Sequence, residues 1–118
     1  MPSDQLFLLP AGFADLAHGP GTYHCIDCAR IEGLLSYFPH LREQLTVAYV
    51  DFPRPREQLI ALLGEPHQNC PTLVVHNGSG THAHLLQRSP ITGQSYCTGA
   101  HDISAYLHAE YTVSAAHT

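Results

Sequence analysis

Cys25-Ile26-Asp27-Cys28 is the part of the chain whose residue types and spacing most directly suggest chemistry. A thiolate attacks a disulfide, and a second nearby thiol can then resolve the mixed disulfide. What matters is where the pair sits. It follows a short apolar run and a glycine-rich loop, and it opens a segment of helical periodicity. At a helix start, unpaired backbone N–H groups and the helix dipole stabilise an anion, so the Cys25 thiolate is expected to be favoured. Cys25 is then the nucleophile and Cys28, one turn in, the resolving thiol. Asp27 puts a negative charge beside both thiols and opposes the dipole. His24, when protonated, acts the other way.

The elements that position this pair can be read from periodicity. Gln5 to Leu9 is a strand ended by Pro10 and Gly12, and Ala11 to Tyr23 is a loop. Ile31, Leu34, Leu35 and Phe38 fall at i, i+3, i+4 and i+7 on one face of a helix limited by Pro39. Leu45 to Phe52 suits a strand covered on both faces in a parallel pairing. Pro55 suits the first turn of a second helix, which carries Leu59, Ile60, Leu62 and Leu63. Gly64 can stop it in the left-handed conformation. Thr72 to His76 is a strand, Asn77-Gly78-Ser79-Gly80 a turn and Thr81 to Gln87 the returning strand. Arg88 to Gly99 reads as an irregular loop. Asp102 caps a last helix with Ile103, Tyr106, Leu107 and Tyr111 inward, and 113–118 is a frayed tail. The order β-α-β-α-β-β-α predicts one α/β domain over 1–118: a parallel βαβ unit with a right-handed crossover, a β-hairpin and a C-terminal helix.

Composition narrows the chemistry. The chain has 118 residues, enough for one domain. It has five arginines, no lysine and a net charge of −5, so no basic nucleic-acid face is expected. Lysine Schiff-base chemistry and Walker-type phosphate loops are excluded. Apolar runs such as Phe7 to Leu9 and Leu59 to Leu63 are far too short to cross a membrane. Asp4 and Asp15 do not suit a secretory signal. A cytoplasmic setting is therefore expected, where a close cysteine pair is more often redox-active or metal-binding than structural.

The order of elements, the position of the cysteine pair and the proline opening the third strand resemble the thioredoxin superfamily. In that superfamily a cis-proline before the third strand packs against the active-site cysteines, and Cys70-Pro71 followed by Thr72-Leu73-Val74-Val75 matches that position. The resemblance implies a cis Cys70–Pro71 bond, Pro71 as a substrate-positioning residue and Cys70 beside Cys25 and Cys28. Asp102 to Leu107 is similar to the last helix of the thioredoxin-like half of glutathione transferases, where Asp102 could meet the amino group of glutathione. No helical second domain follows in this sequence, which argues against a transferase. More narrowly, Tyr23 to Ala29, Tyr49 to Arg56 and Asn69-Cys70-Pro71 resemble a bacterial family of thioredoxin-like proteins known only as a domain of unknown function.

The departures raise alternatives. His24 stands where a tryptophan usually precedes the first cysteine, and with Pro71 it is a candidate substrate-binding residue. Cys70 is a third thiol at the site implied by the resemblance. Cys25, Cys28 and Cys70 could instead hold zinc, with His24 or His67 as the fourth ligand. An iron–sulfur cluster would need Cys97 to fold over the site. Otherwise Cys97 is an incidental thiol of a polar loop. His82 and His84 share one face of the returning strand, and Arg54 and Arg56 lie in a solvated charged turn or hold an anionic partner. The leading expectation is thiol–disulfide exchange without a cofactor, with protein or small-molecule thiols and disulfides as partners. A zinc module and an adaptor without thiol chemistry are the alternatives.

Overall fold

The computed structural model describes residues 3–117. The apolar run Gln5–Leu8 forms β1, with Leu6, Phe7 and Leu8 all buried. Cβ atoms alternate sides along a strand, so three consecutive buried residues mean that both faces of the sheet are covered here. A small hairpin follows, β2 (Phe13–Ala14) and β3 (Thr22–Tyr23), within the stretch expected to be loop. It is held against the body by Phe13, whose ring stacks on Phe52 at 4.3 Å and 6°.

Helix α1 (Ile26–Tyr37) buries Cys28, Ile31 and Leu35; of the expected stripe, Ile31 and Leu35 are buried and Leu34 and Phe38 partly so. A short helix α2 (Leu41–Gln44) leads into β4 (Thr46–Tyr49), which runs parallel to β1. The parallel crossover is as expected, but β4 is not covered on both faces. It is an edge strand with Thr46 and Tyr49 exposed, in the sheet order β4-β1-β5-β7-β6. Its edge position explains why half of its apolar run reaches solvent.

Helix α3 (Glu57–Leu63) begins two residues later than Pro55 suggests, with Arg56 at the cap position, and the Arg54–Pro55 bond is cis. Gly64 ends α3 at φ 97°, ψ 162°, a positive φ with extended ψ rather than the left-handed helical conformation. Strand β5 (Thr72–Val75) is buried at every position and pairs antiparallel with β1. The next strand differs from expectation. Thr81 to Gln87 does not return along β5. It forms a 3-10 turn (Ala83–Leu85), then β6 (Gln87–Arg88) at the far edge. The partner of β5 is β7 (Ser95–Thr98), inside the stretch read as irregular loop. β7 brings Tyr96 and Cys97 into the core, whereas 81–87 offers His82 and His84. Gly78 also closes on Ser95, whose Cβ lies 2.5 Å from where a Cβ at 78 would stand.

Helix α4 (Ala100–Glu110) contacts α1 and buries Ile103, Tyr106 and Leu107. Its N-cap is Gly99, not Asp102, which lies in the first turn. Beyond α4, Val113 is buried rather than frayed, and its carbonyl lies 2.6 Å from His108 Nδ1. Among the described residues the result is an α/β architecture, a mixed five-stranded sheet with four α-helices. Among the described residues no helix is long and apolar enough to cross a membrane.

Candidate active site

β1 and β5 are antiparallel, so the end of β1 and the start of β5 meet at one end of the sheet. The start of α1 arrives at the same place, and Cys25, Cys28 and Cys70 gather there. Cys25 is the N-cap of α1, with φ −77° and ψ 120°. Its Sγ accepts a hydrogen bond from the Cys28 amide at 3.1 Å, filling the role usually taken by a serine, threonine or aspartate oxygen. Cys25 is half-buried and its thiol also reaches the Cys70 carbonyl at 3.8 Å. The Cys70–Pro71 bond is cis, as expected.

Cys28 lies behind Cys25, only 2% exposed. The Leu9 amide donates to its sulfur at 3.5 Å. Burial first, then the hydrogen bond with the Cys25 thiol, pushes the Cys28 thiol far above the ordinary range. At rest it is a protonated, shielded thiol. Cys70 is half-buried, and burial pushes its thiol up to about 11, opposed by the charge of Arg56 and, more weakly, Arg54.

Sequence reasoning missed Arg56. A solvated charged turn or an anionic partner is what its neighbours suggest, yet it is 6% exposed and bonds to carbonyls. Its guanidinium donates to the Phe52 carbonyl from Nε at 3.1 Å and Nη2 at 2.6 Å, and to the Gln68 carbonyl from Nη1 at 2.7 Å. Its backbone N–H donates to Gln68 Oε1 at 2.7 Å. The guanidinium also lies over the Phe52 ring, 5.6 Å from the centroid. Phe13, Phe52 and Arg56 thus form a stacked wall beside the Cys70 loop. Arg54 remains exposed and donates to Asn69 Oδ1 at 3.0 Å. A Pro-flanked arginine gave no sign of burial, because its partners are backbone carbonyls.

His24 is exposed, with Cys25 and Cys28 on the wall of a shallow cleft of about 220 Å³ that Leu9, Ala11, Ala29 and Glu32 complete. Asp27 turns from the thiols: its Oδ2 accepts from the Ala100 amide at 2.9 Å and its Oδ1 lies 3.6 Å from Arg30. His67 is engaged elsewhere, 3.3 Å from the Tyr96 hydroxyl. Cys97 is not an incidental loop thiol. It is buried on β7, and burial pushes it up to about 12. His82 sits in the 3-10 region and pairs with Glu110 at 2.6 Å, so it shares no strand face with His84. Among the described residues, no three His, Cys, Asp or Glu side chains are arranged to hold a metal ion.

Residues 3–115 match the family model described as protein of unknown function (DUF3088). No curated protein and no solved structure matches the chain.

Proposed function

The chain belongs to this family of unknown function, and we propose that it is a thioredoxin-like thiol–disulfide oxidoreductase acting on protein or small-molecule disulfides. One observation carries the reading. The Cys25 sulfur caps α1 at the cleft by accepting from the Cys28 amide, with the Cys28 thiol buried behind it and the loop leading to Pro71 against it. That arrangement supports attack from Cys25 on an incoming disulfide. The Cys25 sulfur bonds to one substrate sulfur and the other leaves as a thiol, taking the proton that Cys25 gives up. A second protein thiol then attacks Cys25, releases the remaining substrate sulfur as a thiol and leaves an intramolecular disulfide. Cys28 is placed to do this. His24 lines the cleft and would contact the substrate, whereas Pro71 is buried and would act only by shaping the Cys70 loop.

The test is reduction of insulin disulfides with dithiothreitol as electron source. The parent protein should accelerate it and Cys25→Ser should not. Equal rates with and without Cys25 would make the chain a binding module without thiol chemistry.

A further inference from the structure

Arg56 is left unused by exchange between Cys25 and Cys28. Burying a cation is costly unless an anion or dense hydrogen bonding offsets it. Among the described residues Arg30 and Arg42 have carboxylate partners, Asp27 and Glu32, whereas Arg56 has none. Its three side-chain hydrogen bonds end on neutral carbonyls and hold the guanidinium rigidly. Its Nη1 bond to the Gln68 carbonyl, two residues before Cys70, sets this charge close to the Cys70 thiol, whose ionisation it favours. Cys28 has no such partner: its sulfur receives one backbone N–H, from Leu9, at 3.5 Å. Cys70 is also the more open of the two, half-buried against 2% exposure at Cys28. Residue 70 already touches the Cys25 sulfur through its carbonyl.

We propose that Cys70 is a second resolving thiol, attacking the Cys25 sulfur of the mixed disulfide while Arg56 acts as the positioning residue that holds the loop carrying Cys70. The proposal rests on Cys25 being the nucleophile. In the step, a bond forms between the sulfurs of Cys70 and Cys25, and the bond from Cys25 to the substrate sulfur breaks. The departing thiolate takes the proton lost by Cys70. Two protein thiols are thereby oxidised and one substrate disulfide is reduced to two thiols, with no other oxidant.

The experiment uses Cys28→Ser, oxidised glutathione, acid quenching and intact mass with peptide mapping. Cys28→Ser should lose two hydrogens and yield a linked Cys25–Cys70 peptide, whereas Cys28→Ser with Cys70→Ser should keep a glutathione adduct on Cys25. An adduct that lasts as long in Cys28→Ser as in the double variant would overturn the role of Cys70 and leave Cys25 as the nucleophile. No adduct in the double variant would overturn both readings. Adding Arg56→Lys to Cys28→Ser should slow closure near neutral pH by roughly tenfold, with recovery at alkaline pH. An unchanged pH profile in that variant would remove Arg56 from the mechanism.

Discussion

Asp27 Oδ2 accepts the Ala100 amide at 2.9 Å, so one of the two residues between the cysteines caps a helix 73 positions away. The N-cap of α4 is a glycine with no side chain to satisfy the first amides of its own helix. Asp27 supplies that acceptor and ties the start of α1 to the start of α4. Its place in the cysteine motif is thus structural.

Asp27→Ala should therefore lower stability by about 0.5–2 kcal/mol, the usual worth of an N-cap, with Asp27→Asn retaining most of it. Urea unfolding measures this. A variant with an unmoved midpoint but altered insulin reduction would mean that the carboxylate acts on the cysteines instead of on α4.

Thiol labelling should follow position. Native protein treated with iodoacetamide should gain label first at Cys25, then at Cys70, whose thiol stays protonated until about pH 11. Cys28 and Cys97, 2% and 1% exposed, should be labelled only after denaturation. Early labelling of Cys28, seen by peptide mapping, would contradict the site as described.

Alkaline conditions should destabilise the fold. Burial raises Cys97 from 9.0 to about 12 and Tyr106 from 10.0 to about 12. Both folded values lie above the unfolded ones, so above about pH 9 the unfolded chain releases protons that the native state keeps. Their contribution is complete below pH 9 and is lost as pH rises through about 12. Urea midpoints should fall between about pH 8 and about pH 10.5, less steeply in Cys97→Ala. Parallel slopes for the two proteins would remove Cys97 from the account.

Arg56→Gln should be costly because the Phe52 and Gln68 carbonyls lose their donors. About 1–3 kcal/mol is expected for each buried acceptor left unsatisfied. Phe13→Ala, which removes only the outer ring of the stack, should lose the ~0.5–1.5 kcal/mol of an aromatic pair on top of its buried area. Equal losses for the two variants would show that the carbonyl bonds contribute little.

The sequence carried the elements whose burial follows a period. Leu6 to Leu8, Thr72 to Val75, and Ile31 with Leu35 sit where apolar runs and helical spacing put them. The approach of Cys70 to Cys25 was legible through Pro71 and the strand after it. β7 was not, because Ser95-Tyr96-Cys97-Thr98 is a four-residue run between Gly93 and Gly99. An Asn-Gly turn signal favours a local return, whereas pairing here follows from which strand can bury Tyr96 and Cys97. Arg56 was illegible for another reason. A charge beside Pro55 and Glu57 reads as solvated, and acceptors that are backbone carbonyls leave no trace in residue types. Asp27 turns to α4 and not to the thiols, a role invisible in the motif because its partner is a backbone amide 73 residues on.

The bond from the Leu9 amide to the Cys28 sulfur makes one backbone resonance a gauge of the thiol chemistry. Leu9 directly follows β1, whose neighbours in the sheet are β4 and β5. When Cys28 enters a disulfide or is replaced by alanine, that amide faces a poorer acceptor or none. Its proton chemical shift and its exchange with deuterated water then change, while amides at the far end of β1, such as Gln5, keep theirs. A single nitrogen–proton spectrum would thus follow the state of a sulfur that is almost inaccessible to reagents.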